Sequence, residues 1–138
     1  MSSHQSNHTS EWIEASAGSG KTYQLIHRIL GLLLQDISFN DILCITFTNA
    51  AAGEMEKRLQ EKLEHWALSS DMELEQDMNQ MGFENPCSTI LDKARNLYED
   101  YLWSQQKIRF TTLHGMCQSM LRTFALESNV SPDFSVLE

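Results

Sequence analysis

A glycine-rich turn near the start of the chain, "ASAGSGKT" at residues 15–22, constrains the fold more than any other feature. It follows a short apolar stretch at residues 12–15 and precedes a segment whose apolar residues recur at helical spacing. A strand, a glycine turn and a helix in this order are typical of phosphate-binding loops in α/β proteins. The pattern therefore predicts an α/β fold whose first helix directs its N-terminus at a phosphate chain.

The residue types in this turn suit the phosphates of ATP. Small residues form the predicted cradle, which consists of Ala15, Ser16, Ala17, Gly18, Ser19 and Gly20. Ala15 stands where the motif usually has glycine, while Gly18 and Gly20 permit dihedrals and close approach that a side chain would block. Lys21 and Thr22 are the predicted catalytic residues, with Lys21 on the β- and γ-phosphates and the Thr22 hydroxyl on Mg²⁺. The alternative is a glycine-capped turn followed by an exposed lysine.

Two later segments repeat the order of strand and helix. The stretch "FNDILCITFT" at residues 39–48 predicts a buried strand, and Asn49 is the predicted N-cap of the helix that follows. "KIRFTT" at residues 107–112 predicts a third strand that leads into another helix. Three such units predict a parallel sheet with crossover helices.

A helical insertion is predicted at about residues 67–103, between the second and third units. It begins with a short acidic helix, turns at residues 82–86 and continues as a longer amphipathic helix. Residues 1–10 are almost wholly polar and predict a disordered tail, which leaves residues 11–138 as one domain.

Net charge and cysteine content exclude several classes of protein. The formal net charge of −9 argues against a free-standing nucleic-acid-binding module, although the acidity is concentrated in residues 67–106. Cys44, Cys87 and Cys117 are widely spaced within apolar patterns, which favours buried, reduced thiols over disulfides or a zinc site. No apolar run is long enough to span a membrane and the start lacks a secretory signal, so we expect a cytoplasmic protein without a membrane partner.

Two further blocks decide among the classes of nucleotide-binding protein. They are "TFTNAAAGEMEKRL" at residues 46–59 and "TTLHGMCQSMLRTFALE" at residues 111–127, and each places small and polar groups at the end of a predicted strand. With the phosphate loop they resemble, in order and spacing, the first motifs of superfamily 1 DNA helicases of the UvrD/RecB type. The likeness is strongest to the AddA-type helicase-nucleases of double-strand break repair, and it covers nearly the whole chain after residue 11.

The resemblance implies a RecA-like P-loop NTPase fold, translocation along single-stranded DNA driven by ATP hydrolysis, and exonuclease activity in the complete enzyme. It implies DNA contacts by Phe47, which would stack on a base, by Thr48 and Asn49 at a phosphate, and by Thr112 and His114. It also implies two protein partners, the rest of the helicase polypeptide and an AddB-like nuclease subunit.

Other interpretations remain open at this point. No Asp-Glu pair follows an apolar strand after residue 112, so we expect the amino-terminal part of such an enzyme, inactive by itself. A nucleotide- or partner-binding module without turnover is the alternative, and a small-molecule kinase is disfavoured because it needs a lid and acceptor carboxylates. For single residues, Phe47 in the core, Asn49 as a mere helix cap and His114 as a packed or solvated side chain are the simpler explanations.

Overall fold

The computed structural model describes residues 20–105 and 107–128, without the side chains of Leu126 and Ser128. Its helices are α1 (Lys21–Leu34), α2 (Asn49–Leu68), α3 (Asp71–Gln80), α4 (Ser88–Trp103), α5 (Leu113–Thr123) and α6 (Ala125–Ser128), with a 3-10 turn at Phe39–Asp41. The strands are β1 (Leu43–Thr46) and β2 (Arg109–Thr112). The expected tail at residues 1–10, strand at residues 12–15 and phosphate-loop residues 15–19 lie outside the described residues.

The two strands form a parallel pair in which Leu43 lies opposite Arg109 and Thr46 opposite Thr112. The predicted parallel pairing of these segments is confirmed, and the fold is α/β with crossover helices between the strands. Both strands are shorter than expected. Residues 39–41 form a 3-10 turn, and residues 47 and 48 leave the strand before α2 begins.

The hydrophobic core lies among the helices between the two strands and α1. The helical residues at its centre come from α1, α2, α3 and α4, and they are Ile26, Ile29, Leu30, Leu33, Leu34, Leu59, Leu63, Trp66, Leu74, Met78, Leu91, Ala94, Leu97 and Tyr101. Ile42 and Ile108 join this cluster at the beginning of each strand. On α2, the side chains of Leu59, Leu63 and Trp66 are fully buried in this core.

The predicted helical character of residues 67–103 is confirmed, and their buried residues belong to the same core. The α2 helix runs to Leu68, and α3 then begins with a capping box in which the Ser70 hydroxyl accepts from the Glu73 amide. Glu73 accepts in return from the Ser70 amide at 2.9 Å, which fixes the elbow between the two helices. At the end of α4, Tyr101 takes the inward position and is buried, whereas its neighbour Leu102 is about half exposed.

The α5 helix differs from the others because none of its residues is buried. Its apolar residues Leu113, Met120 and Leu121 are exposed. The apolar face of α5 is therefore only partly covered by the described residues.

The cysteines differ in part from the expectation. All three are free, and Cys44 on β1 is half-buried, where desolvation raises the pKa of its thiol to about 11. Cys87 and Cys117 are exposed, so the prediction of buried thiols is wrong for both. Cys87 occupies the N-cap of α4 and Cys117 lies on the uncovered α5, and neither position is covered by another element.

No helix in the described part of the chain is long and apolar enough to cross a membrane.

Candidate functional site

The first component of the site is the beginning of α1. Gly20 is its N-cap residue and has φ 87° and ψ 14°, a left-handed conformation that residues with a Cβ rarely adopt. No described atom lies within 4 Å of the position that a Cβ on Gly20 would take, so the positive φ is the described reason for glycine there. The amide of Gln24 donates to the Gly20 carbonyl at 3.0 Å and closes the first turn. Ala15, Ser16, Ala17, Gly18 and Ser19 lie outside the described residues.

Lys21 and Thr22 occupy the first turn of α1. Lys21 is exposed and Thr22 is half-buried, and the first turn contains no acidic residue. A helix N-terminus offers unpaired amides and a partial positive charge, and here a flexible cation stands beside them. This end of α1 therefore fits an anion, and the described part of the loop is compatible with the phosphates of a nucleotide.

The second component is the junction between β1 and α2. Thr48 has an extended backbone, and its hydroxyl accepts from the Ala51 amide at 3.1 Å, so Thr48 is the N-cap of α2. The prediction that Asn49 is the cap is wrong by one residue. Asn49 is already helical, and the Thr48 hydroxyl is the group that reaches the free amide three positions later.

Phe47 lies between the end of β1 and this cap, and its side chain is 99% exposed. The interpretation of Phe47 as a core residue is therefore wrong. Burial of a phenylalanine side chain is worth about 1.5–3 kcal/mol, which the described structure does not gain at this position. An aromatic ring held fully in solvent beside a helix N-terminus is available for a planar ligand.

The third component is the junction between β2 and α5. Thr112 is the N-cap of α5, and its hydroxyl accepts from the Gly115 amide at 3.1 Å. Its side chain is therefore engaged in capping and is buried, whereas His114 in the first turn is exposed. A Cβ on Gly115 would lie 2.6 Å from Thr111 Oγ1, so glycine lets α5 begin directly at the end of β2.

The structure brings the second and third components together. Thr46 and Thr112 are opposite each other in the parallel register, so both strands end at the same edge and both helices begin there. The Thr46 hydroxyl donates to Thr48 O at 2.9 Å and contacts Thr111 O at 3.4 Å. Two capped helix N-termini and an exposed aromatic ring thus share one edge.

The first component is held by the helical core. The α1 helix packs against α2 and α4. In the part of the chain that the structure describes, no hydrogen bond or ion pair joins Lys21 or Thr22 to either junction. The predicted site residues therefore form a pair of adjacent junctions and one helix start, which the same helical core holds in place.

A polar cluster that the sequence did not indicate connects α1, α2 and α3. Asp77 accepts from Lys62 Nζ at 2.5 Å and from Trp66 Nε1 at 3.0 Å. Burial opposes the ionisation of Asp77, but these hydrogen bonds, with the charges of Lys62 and His65, hold its pKa below the usual value. His27 on α1 lies in the same field, and its Nε2 is buried without a hydrogen-bond partner among the described residues. Desolvation and the nearby Lys62 lower the pKa of His27, and Asp77 partly opposes them.

The described residues contain no group of three or more His, Cys, Asp or Glu side chains that could hold a metal ion.

These features define the class of the protein. Parallel strands feed capped helices at one edge of the sheet, as in α/β proteins that bind ligands beyond the carboxyl ends of their strands. The family model described as the UvrD/REP helicase N-terminal domain matches residues 2–138. The chain belongs to this family, which confirms the resemblance seen in the sequence.

Several curated proteins are similar to the chain over most of its length, and each is named as the A-type subunit of an ATP-dependent helicase/nuclease. The protein from Listeria welshimeri is 31% identical over 137 residues, covering 97% of this chain and 9% of that protein. The protein from Desulforamulus reducens is 31% identical over 129 residues, covering 91% and 9%. The protein from Lactobacillus gasseri is 32% identical over 125 residues, also covering 91% and 9%. The chain thus spans about 9% of the length of these relatives.

Proposed function

We propose that this chain is the ATP-binding amino-terminal segment of an ATP-dependent DNA helicase-nuclease that acts in double-strand break repair and recombination. It would adopt a RecA-like P-loop fold in the cytoplasm, and the complete enzyme would translocate along single-stranded DNA as it hydrolyses ATP. The chain by itself would bind nucleotide but would not hydrolyse ATP in response to DNA. Its sequence has no Asp-Glu pair at the end of an apolar strand after residue 112. Family membership and the edge that joins the two junctions support the proposal.

ATP and Mg²⁺ are the proposed cofactors, held by residues 15–22. The left-handed Gly20 and the free N-terminal amides of α1 suit a phosphate chain, and Lys21 adds a positive charge. The Thr22 hydroxyl would hold Mg²⁺, which neutralises charge on the phosphate oxygens. This chain's own part is to bind and orient those phosphates.

Single-stranded DNA is the proposed polymer ligand, and the exposure of Phe47 is the observation that carries this assignment. A ring that is 99% exposed at a strand end offers a stacking platform for a base. Thr48 and Asn49 begin α2 beside it, and Thr112 and His114 begin α5 on the adjacent strand. A DNA strand that passes this edge of the sheet would meet one aromatic ring and two helix N-termini with partial positive charge. A protein with a negative net charge can therefore still bind DNA at this place.

Two protein partners complete the proposal. The rest of the helicase polypeptide would supply the second motor domain and the nuclease, since the chain spans about 9% of its relatives. An AddB-like nuclease subunit would be the second partner. The relatives are themselves named as one subunit of an enzyme, which supports a multisubunit assembly.

The nucleotide site is tested by Lys21→Ala. We expect the parent chain to bind Mg-ATP or Mg-ADP in titration calorimetry and the variant to lose measurable binding, because Lys21 provides a mobile charge for the phosphates. Lys57→Ala is the matched control, since it removes a solvent-exposed lysine from α2. Equal affinity of the parent and Lys21→Ala would remove Lys21 from the site.

The DNA site is tested by Phe47→Ala. Loss of one stacked base should weaken binding of a fluorescein-labelled oligo-dT by about 5- to 100-fold, measured by fluorescence anisotropy at fixed ionic strength. Trp103→Ala is the control, because Trp103 is 80% exposed on α4, away from both junctions. An unchanged affinity of Phe47→Ala, or an equal loss in both variants, would contradict the assignment.

A further inference from the structure

Among the described residues, the Phe47 side chain has no packing partner that would fix its direction. Its ring is 99% exposed, so only the backbone on either side of it sets where the Cα–Cβ bond points. A stacking platform that must be ordered on binding loses affinity to conformational entropy. The hydrogen bonds that hold residues 46–48 therefore matter for any ligand that uses this ring.

One side-chain hydroxyl closes the turn around Phe47. Thr46 Oγ1 donates to the carbonyl oxygen of Thr48 at 2.9 Å, so the residue before Phe47 is bonded to the residue after it. The same carbonyl accepts from the Ala52 amide at 3.1 Å, which is the first hydrogen bond of α2. The Thr46 hydroxyl thus connects the last residue of β1 directly to the first turn of α2.

The same hydroxyl also faces the neighbouring strand. Thr111 O lies 3.4 Å from Thr46 Oγ1, a longer contact to which the single hydroxyl proton can contribute only weakly. Thr111 immediately precedes Thr112, the cap of α5. One hydroxyl therefore lies between the two junctions, and its main bond orients the turn that carries Phe47.

We propose that Thr46 is a positioning residue for the single-stranded DNA site, and that its hydroxyl preorganises Phe47 for stacking through the bond to Thr48 O. The inference rests on the proposed function, because it assumes that Phe47 meets a base. The proposal gives Thr46 no direct contact with the DNA. The Thr46 hydroxyl acts indirectly, by fixing the direction of the Phe47 ring.

Two substitutions separate the hydroxyl from the shape of the side chain. Thr46→Val keeps the β-branched form that suits a strand but removes the donor, and Thr46→Ser keeps the donor but removes a methyl group. A role in packing alone predicts that Ser is the more damaging change. A role in positioning predicts that Thr46→Val weakens DNA binding more than Thr46→Ser, which should keep most of the parent affinity.

The test is a double-mutant cycle on the full chain, with anisotropy of a fluorescein-labelled oligo-dT as the measurement. Thr46→Val should weaken binding by about three- to tenfold, the range that corresponds to one net hydrogen bond. In the Phe47→Ala background, Thr46→Val should have no further effect, since the ring that it orients is gone. Circular dichroism of each variant checks that the helical content is retained.

The outcomes distinguish this inference from the proposed function. If Phe47→Ala leaves the affinity unchanged, the proposed DNA site is wrong and Thr46 has no role there. If Phe47→Ala weakens DNA binding and Thr46→Val does not, the DNA site stands and the positioning role is overturned. The same holds if the loss of affinity in the double variant equals the product of the losses in the two single variants. Loss of binding in Thr46→Ser as severe as in Thr46→Val would also overturn it.

Discussion

The α4 and α5 helices have similar apolar patterns but opposite surroundings. On α4, four residues face the core and are buried, namely Leu91, Ala94, Leu97 and Tyr101. On α5, no residue is buried, and Leu113 and Met120 remain 53% and 54% exposed. An amphipathic stripe therefore predicts a helix in both cases but a covered surface in only one.

The difference follows from what lies next to each helix. The α4 helix packs against α2, α1 and α3, so its stripe meets three other apolar surfaces. The α5 helix contacts β1, β2 and α6, and these short elements cover only a small part of it. Among the described residues, the face with α4 (the closed side) is thus covered by the helical core, whereas the face with α5 (the open side) is largely uncovered. The two faces should therefore respond differently to the same substitution.

The largest expected effect comes from removing a buried leucine on α4. Leu97 is 5% exposed, and Leu97→Ala should lower the free energy of unfolding by about 2–5 kcal/mol through lost burial and a cavity. The matched change Leu113→Ala on α5 should cost less than about 0.5 kcal/mol. Urea unfolding followed by circular dichroism measures both. Equal losses would mean that α5 is as well covered as α4.

A glycine at the start of α5 gives the next largest effect. In Gly115→Ala the new Cβ would lie 2.6 Å from Thr111 Oγ1, so the helix or the strand end must shift, at a cost of about 1–3 kcal/mol. Gly53→Ala in α2 is the control, because nothing lies within 4 Å of its Cβ position and alanine favours the helix by about 0.5–1 kcal/mol. The signs of the two changes in urea midpoint should therefore be opposite. A destabilising Gly53→Ala would break the comparison.

The stability of the closed side should depend on pH, because His27 on α1 lies there. Burial and Lys62 lower the pKa of His27 in the folded chain, while Asp77 opposes them and the Tyr23 ring packs at 3.8 Å. The unfolded chain therefore binds the proton more readily, so the contribution of His27 to stability is present above about pH 6.5 and is lost as the pH falls below it.

The variant His27→Gln isolates this group. Thermal melts between about pH 8 and pH 5 should show a stability gap between parent and variant that narrows as the pH falls. A gap that is constant across this range, or that widens towards low pH, would show that His27 does not titrate in the folded chain as described.

The smallest effect on stability is expected on the open side. Met120 is 54% exposed, so Met120→Gln should change the free energy of unfolding by less than about 0.5 kcal/mol. It should nevertheless reduce concentration-dependent association, because it breaks an exposed apolar surface on α5. Sedimentation velocity at several concentrations measures this change, and Met78→Gln in the core is the contrasting variant that should unfold the chain instead.

The helices were the most predictable part of this fold. Helical spacing predicted the longer amphipathic helix within residues 67–103, which is α4, because a 3.6-residue period is a local property. The parallel pairing of β1 and β2 also followed from the order of strands and helices. The glycine turn implied a special backbone, and Gly20 has the left-handed conformation that such a turn uses.

The wrong predictions concern positions at which the local sequence pattern suggests one cap or degree of burial and the surrounding structure gives another. Thr48 and Asn49 are both good caps, and the choice depended on where β1 ended. Cys87 and Cys117 lie within apolar patterns but are exposed, because no described element packs over them. Phe47 continues an apolar run and still points into solvent, because the strand ends one residue before it.

The sequence by itself determined the elements, their order and the special residues at their ends, since backbone preferences and capping act over a few residues. Only the tertiary structure decided which apolar faces are covered, that the ends of β1 and β2 adjoin, and that Thr46 lies between the two junctions. Those facts depend on contacts between residues far apart in the chain. The bond from Thr46 to Thr48 O is local, for example, whereas the contact of the same hydroxyl with Thr111 O exists only because β2 lies beside β1.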